Sequence, residues 1–494
     1  MTARLASHII AALLAILMLT VTFTACGGGG VGNEVENNTE TAGETSAAGT
    51  ETEALKPDLP DRDFNGRDFT ILTQGWYTYT PLDFTDIAPE ELDGEVLNDA
   101  AFNRNVKMST AYNCSVVQSN EINAADAMSK ITATVSAGED AYDISFVRGT
   151  NFSVGITSGF YTELNDIPFV DYDMPWWDSD SLESLAICGK SYVICGDIST
   201  NDMMAVWNVC FNKKLIDDYS LDSPYELVTS GKWTFDKSIE MSKSVAHDVD
   251  GDGKMGKADM WGINHTNDTV IGILNACGVR IAESDKNGIP QVTINSEKSV
   301  TRTVDIFTKL FNEEYAVDTL SRPHMQLTDS DGELFRQDLV LFLYTATHMV
   351  GALRQMDVEF GLLPYPKYAE SEDYAPCTAG IFLPMIVVPV TNTELEDTGF
   401  FMEAYAYEGW ANLVPAYYDV ILQGKFASDN ESGEILDYIY GNITYDIGNI
   451  YNFDSFTSAI GGLSKSMDTD FASFIAGRLS PLQAAIDALV EKVG

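Results

Sequence analysis

The sharpest chemistry in the chain is carried by one acidic run, Asp248-Val249-Asp250-Gly251-Asp252-Gly253-Lys254-Met255-Gly256-Lys257-Ala258-Asp259. Acids at the first, third, fifth and twelfth positions can surround one centre, and calcium takes ~6–8 oxygen ligands. Asp248, Asp250 and Asp252 would each give a carboxylate oxygen and Lys254 its backbone carbonyl, while Asp259 closes the shell and Gly253 permits the sharp turn. Gly256 stands at the ninth position, where a water would take the place of a side chain. The plainer alternative is a solvated Asp/Gly turn. Carboxylates this close repel one another unless a cation sits among them, so a structural Ca2+ at 248–259 is the expectation.

This loop resembles the calcium loops of EF-hand and dockerin-like segments. Catalytic patterns are thin by comparison. The five histidines are scattered and form no H-E-x-x-H pair, and G-x-S-x-G, G-x-x-x-x-G-K-[ST] and G-x-G-x-x-G are all absent. No catalytic residue and no organic cofactor is assigned. A glycosidase pair among the 74 acids stays open, since nothing singles out two of them. Aromatic side chains suggest a different chemistry. Sugar rings stack their C–H faces on Trp and Tyr, while acids, amides and Arg bond the hydroxyls. Trp76, Tyr77, Trp207 and Tyr344 are candidate platforms, and Arg148, Thr150, Asn151, Asp202, His265 and Asp268 are candidate hydrogen-bonding partners. A single aromatic is more often core than platform, and Trp176-Trp177 reads as packing.

The elements that must position these residues alternate. Asn65-Gly66 reads as a turn into a strand at Phe69–Thr73, followed by helices over Asn98–Cys114 and Ala125–Ala137 and a strand at Tyr142–Val147. A hairpin over 190–200 follows, and Met203–Phe211 is apolar and unalternating, as a buried strand would be. Helical spacing then covers Phe235–Ser244, Val270–Cys277 and Ser296–Phe311, with strands at Met260–Asn264, Leu339–Tyr344, Phe360–Pro366 and Ile381–Val390. The remainder reads as helices. Strands alternating with helices predict a parallel α/β sheet, whose ligands sit beyond the carboxyl ends of the strands. That rule selects the candidates named above.

The 494 residues are 45% hydrophobic and 11% aromatic, ample for two packed domains. A net charge of −45 argues against nucleic acid and against anionic membrane as partners of the folded body. The seven cysteines contain no CxxC pair, which argues against zinc. Cys188 and Cys195 flank a short turn and could pair, though small buried thiols are the simpler expectation.

The N-terminus carries Arg4, the apolar run Ile9–Val21, then Thr24-Ala25-Cys26 and four glycines. A charged start and a short apolar stretch before small residues describe a secretory leader, too short for the ~20 residues of a membrane span. The Cys after Thr-Ala resembles the lipobox of bacterial lipoproteins, with Phe23 in place of the usual leucine. That resemblance implies cleavage before Cys26 and acylation of its thiol and amino group, palmitate included. The stretch to about residue 58 is rich in Gly, Glu, Thr and Asn and reads as a flexible acidic tether.

Several segments together resemble the extracellular solute-binding lipoproteins of carbohydrate ABC transporters, the maltose-binding-protein-like family, in its Gram-positive, clostridial form. They are Thr73-Gln74-Gly75, Tyr142-Asp143-Ile144, Phe211-Asn212-Lys213-Lys214-Leu215, Gly231-Lys232-Trp233-Thr234-Phe235-Asp236, Trp261-Gly262-Ile263 and Phe360-Gly361-Leu362-Leu363-Pro364-Tyr365-Pro366. The resemblance implies an α/β, two-lobed periplasmic-binding-protein-like (type II) fold with hinge-connected lobes. It implies a signal peptide over 1–25, lipidated Cys26 and tether over 26–60, and mainly lobe 1 over 61–200. Residues 201–390 would hold the hinge crossing and mainly lobe 2, and 391–494 a helical part packing back across the lobes. The protein would then be a monomer on the outer face of the cytoplasmic membrane, handing a sugar or oligosaccharide to ABC permease subunits. A secreted glycoside hydrolase or lyase, and a surface sensing or adhesion lipoprotein, stay open on the sequence.

Overall fold

A computed structural model of the chain describes residues 55–74, 86–121, 124–322, 332–353, 356–357, 359–380, 383–422 and 432–494. The fold begins where expected. Asn65 and Gly66 take φ of 55° and 80°, a left-handed pair that suits Asn-Gly, and turn the chain into β1 (Arg67–Gln74). Phe69 and Ile71 are buried on one face of β1, and Leu72 on the other. The Val96–Tyr112 helix returns the chain to β2 (Cys114–Glu121), and the Ala124–Ala137 helix leads towards β3 (Ile144–Arg148). Both strands lie parallel to β1, β2 over its whole length from Arg67↔Cys114 to Gln74↔Glu121.

Two short strands, β4 (Trp177–Asp178) and β5 (Cys195–Gly196), pair before the chain leaves this lobe. The second sheet contains β6 (Trp207–Asn212), β7 (Trp261–His265), β10 (Ala316–Asp318), β11 (Val340–Ala346) and β12 (Phe360–Pro364) in the order β10-β7-β11-β6-β12. A small hairpin, β8 (Ala282–Ser284) with β9 (Pro290–Val292), stands apart. The chain then returns to the first sheet as β13 (Pro384–Val387), giving the order β13-β3-β1-β2. Ser223, Thr234 and Ser296 cap three helices of the second lobe through their hydroxyls, as their types favour.

The expectation of uniformly parallel sheets needs correction. β6 runs antiparallel to β11 and β12, and β13 antiparallel to β3. The reason is topological, because each reversed strand is the first to join its sheet after the chain has crossed between lobes. The apolar run from Met203 is also not one strand. Asn201–Met204 forms a helical turn and the strand starts at Trp207. An unbroken apolar run fits either backbone form, so its pattern could not separate them.

The two crossings pair with each other. Ile194 bridges Ile386 and Val206 bridges Thr378, while Trp207 N–H donates to the Cys377 carbonyl at 2.9 Å and Ala379 N–H to that of Ala205 at 2.7 Å. A third connection runs from the Leu395–Glu408 helix through a π-helical turn at Gly409–Leu413 into the Val414–Leu422 helix. Cys188 and Cys195 are both free thiols, with Cys188 at φ 53° in the turn. Trp176 and Trp177 are buried in the first lobe's core together with Phe69, Phe146 and Tyr405.

Candidate functional site

The carboxyl edges of the two sheets and the paired crossings define the region where the lobes meet. In the second lobe β7 ends at His265, β10 at Asp318 and β11 at Ala346, and the reversed β6 brings Trp207 opposite Ala346. The Trp207 indole lies flat against Gly272 of the Thr269–Ala276 helix, where a Cβ would sit 2.6 Å from Cδ1, so only glycine admits it. On the other side it stacks with Tyr365, centroids 5.9 Å apart. Its Nε1 is buried and meets no acceptor.

Beside Trp207 lies a polar cluster that the crossing assembles. Thr347 Oγ1 accepts from Asn208 Nδ2 at 2.9 Å and donates to the Val206 carbonyl at 3.1 Å. Tyr440 faces Thr347 and Tyr417, and both tyrosine hydroxyls are buried without completing a well-formed hydrogen bond. Burial pushes both phenols far up, and the nearby Asp202 carboxylate adds to that. Asp202 is itself buried on the short Asn201–Met204 turn, where Oδ1 accepts from Met203 N–H at 2.8 Å. The structure therefore sets Asp202 near Tyr417 and Tyr440, and Tyr440 near Thr347, which bonds the residues on either side of Trp207; sequence reading passes over Thr347, Tyr417 and Tyr440. The Tyr417-Tyr418 pair was a visible signal, but nothing in the chain's spacing links it to Asp202.

His265 and Asp268 form a second group. His265 is buried; burial depresses its pKa, Asp318 opposes that and Arg322 adds to it. Its Nδ1 lies 3.3 Å from the Thr266 carbonyl and the ring also meets the Leu310 carbonyl, which turns it into the lobe. Asp268 precedes the Thr269–Ala276 helix and accepts from Asn267 Nδ2 at 2.8 Å. Burial raises its pKa, against the pull of Lys465. Asn264 Nδ2 and Asn267 Oδ1 are buried and unpaired nearby in sequence, amide groups of the kind that bond sugar hydroxyls.

In the first lobe Arg148 is buried at the end of β3, opposite Pro384. Thr150 and Asn151 fall in the first turn of the Gly149–Ser158 helix. Gln74 closes β1 with its Nε2 buried and unpaired. Trp76 and Tyr77 lie outside the described residues, as does Cys26. Tyr344 requires correction. It is 1% exposed, its hydroxyl donates to Ser238 Oγ at 2.9 Å, and its ring packs on Tyr365. Both faces of β11 are covered, so Tyr344 belongs to the core of the second lobe and presents no platform. Two surface hollows of about 690 and 520 Å3 lie on the second lobe, and none of the expected ligand residues lines either.

The acidic loop joins the Phe235–Val245 helix to β7. Oxygens of Asp248, Asp250 and Asp252 lie within 4.8 Å of one another. Asp248 accepts from Gly251 N–H at 2.6 Å and Gly253 N–H at 2.7 Å, and these amides hold its carboxyl below the usual range. Gly251 and Gly253 take φ of 73° and 82°, which their lack of Cβ permits. Lys254 follows, its amide bonded to Asp252 Oδ1 at 2.8 Å. Asp259 differs from expectation. It is buried, Oδ1 accepting from Val249 at 2.8 Å and Oδ2 from Gly256 at 2.6 Å, so it clamps the loop's amides and stands outside the trio. Three carboxylates suit a hard cation, with waters and backbone oxygens completing the shell.

No protein-family model and no curated protein sequence matches the chain. Solved structures do. An ABC substrate-binding protein of Listeria monocytogenes in complex with cycloalternan superposes with a TM-score of 0.54 at 15% identity, covering 87% of this chain and 99% of that one. A cyclo/maltodextrin-binding protein complexed with maltotetraose gives 0.53 at 14% identity, covering 89% and 97%. The chain thus has the α/β, two-lobed fold of the solute-binding proteins, with paired crossings between its lobes.

Proposed function

We propose that this protein is the substrate-binding component of an ABC importer and captures an extracellular carbohydrate, an oligosaccharide, between its lobes. The observations that support the reading are buried polar groups with incomplete hydrogen bonding on the second lobe: Trp207 Nε1 and the Tyr417 and Tyr440 hydroxyls beside the crossing, and Asn264 Nδ2 and Asn267 Oδ1 about the end of β7. Leaving such groups unpaired costs stability unless a ligand or water completes them. They are neutral, they include ring faces, and Asp202 and Asp268 stand by, a composition that suits hydroxyl-rich rings and disfavours anionic ligands. Neighbours in structure are binding proteins whose own complexes hold cycloalternan and maltotetraose.

In this reading there is no catalysis. Ligand contacts from both lobes select the closed state, and the permease reads it. Cys26 carries diacylglycerol and an amide-linked acyl chain, two anchors being needed for stable membrane residence, and the acidic tether gives the body reach. The 248–259 loop holds a structural Ca2+. Titration calorimetry against maltotetraose, cycloalternan and a wider glycan panel tests the function. Stoichiometric binding of a glycan recovered intact, weakened at least tenfold by Trp207→Ala or Asp202→Asn, is the expected result; loss of one good stacking or charged contact is worth about 1.4 kcal/mol or more. Turnover of the glycan, or no binding across the panel, would sink the reading.

A further inference from the structure

Asp86 is 1% exposed in a turn ahead of the Val96–Tyr112 helix, and its side chain reaches the first crossing between the lobes. Oδ2 accepts from Thr200 N–H at 2.6 Å, Ser199 Oγ at 2.9 Å and Thr200 Oγ1 at 3.1 Å, while Oδ1 lies 3.4 Å from Asn201 Nδ2. Ser199 Oγ in turn accepts from Asn201 N–H at 3.1 Å and from its Nδ2 at 2.9 Å. Thr200 stands at the capping position of the Asn201–Met204 turn, which carries Asp202, yet its side chain makes no capping bond to that turn. A threonine so placed ordinarily caps its own helix. Here the hydroxyl is directed to Asp86 instead, so a carboxylate distant in sequence holds the start of the turn.

Arg104 fixes the neighbouring backbone. It is fully buried on the Val96–Tyr112 helix, with its guanidinium 3.9 Å from the centre of the Tyr405 ring. Nη1 donates to the Ile198 carbonyl at 2.7 Å, and Nη2 donates to the main-chain carbonyls of Asp86 and Ile87. Gly409 of the third connection backs on to the Asp197 carbonyl, and a Cβ there would also stand 3.6 Å from Arg104 Nη1. Residues 197–201 therefore meet the first lobe and the third connection at one buried point. A helical turn of 4 residues does not hold its own shape. Hydrogen bonds to an ionised acceptor are roughly twice as strong as neutral ones. Removing the carboxylate would leave the Thr200 amide and two hydroxyls buried without it.

We propose that Asp86 is a positioning residue for ligand capture: it fixes the start of the Asn201–Met204 turn and so sets where Asp202 stands near Tyr417 and Tyr440. The effect on ligand rests on the carbohydrate reading above; the anchoring of the turn does not. Hydrogen exchange and titration calorimetry together are the test. In Asp86→Ala, amide exchange over residues 199–206 should quicken by about tenfold or more while β7 and β11 keep wild-type protection. Affinity for a glycan that the wild type binds should fall by about tenfold or more. Asp86→Asn keeps the oxygen that takes three of the bonds, and it should restore both readouts to within about threefold of wild type. Adding Asp202→Asn to Asp86→Ala should weaken binding no further than the stronger single change, since both would act on one contact. Wild-type exchange over 199–206 or wild-type affinity in Asp86→Ala, or additive losses in the double variant, would overturn the positioning role. Thr200→Val removes one hydroxyl donor and serves where Asp86→Ala does not fold; it should quicken the same amides by less, and unchanged exchange there would count against the proposal equally. Quickened exchange in the variants, with no glycan bound by the wild type, would overturn the carbohydrate reading and leave Asp86 as the anchor of the turn.

Discussion

Tyr344 and Ser238 are joined by a 2.9 Å hydrogen bond in the centre of the second lobe, between β11 and the Phe235–Val245 helix. Ser238 Oγ accepts this bond and donates its own hydrogen to the Phe235 carbonyl at 2.8 Å. Tyr344→Phe therefore removes one neutral bond from a site that stays otherwise satisfied. It should cost about 0.5–1.5 kcal/mol by denaturant titration and leave glycan affinity untouched. A drop in affinity without a drop in stability would return Tyr344 to the cleft.

Gly409 opens the π-helical turn on the third connection, and its Cα faces the Asp197 carbonyl. Two effects of Gly409→Ala oppose each other. Helix propensity alone favours alanine by about 1 kcal/mol. An added Cβ, however, would stand 1.7 Å from Asp197 O, which is backbone and cannot swing aside. Overpacking of this kind costs about 1–3 kcal/mol, so the clash should win and the melting midpoint should fall. A stabilised variant would mean that the connection yields freely at this point.

The strand at Arg67–Gln74 was legible because an Asn-Gly turn and an apolar alternation coincide there. Phe235–Val245 and Glu297–Leu310 were legible because a capping hydroxyl precedes a helical period. The residues of the site were less so. Trp207 and Asp202 could be picked by their place before the second lobe, yet their partners Tyr417 and Tyr440 arrive only after the chain has crossed between lobes twice more. That proximity is tertiary and leaves no local pattern. Tyr344 misled for a related reason: in a strand covered on both faces, alternation carries no information about which side chains meet solvent. His265 sits at a strand end as the sheet rule requires, but its ring turns towards Leu310, and a rule about backbone ends does not set a side-chain direction.

For the acidic loop, the expected outcome is a rise in melting midpoint on adding calcium and its reversal by chelator. A ligand that binds only the folded state adds about 2.7 kcal/mol at a hundred times its dissociation constant. Asp248→Asn should abolish the response, since Asp248 belongs to the trio and also organises the Gly251 and Gly253 amides. Asp259→Asn should lower stability with or without calcium, because that side chain holds backbone. Identical melting curves in calcium and in chelator would leave a plain aspartate turn.

Stability should rise as the medium is made mildly acidic, and the sign follows from where the carboxylates sit. Asp86 is buried; burial raises its pKa, against the pull of the Thr200 amide, Arg104 and the Ser199 and Thr200 hydroxyls. Burial likewise raises Asp143, Asp446 and Glu403 above their ordinary values. A carboxyl whose folded pKa is raised holds its proton more tightly in the fold, so its contribution is full in acid and is lost as pH climbs through the raised value. Exposed turn acids behave oppositely. Asp63, Asp222, Asp285 and Asp470 are lowered by hydrogen bonds, and their contribution is lost only as pH falls below about 4. Between these limits the buried groups govern, and a net charge of −45 acts in the same direction through self-repulsion. The melting midpoint at about pH 5 should therefore exceed that at about pH 7.5. Asp86→Asn, which keeps an acceptor for the Thr200 amide at 2.6 Å but cannot ionise, should flatten the slope. A midpoint that falls steadily from neutral towards pH ~5 would show that ion pairs such as Arg67–Asp143 outweigh the cost of burying charge.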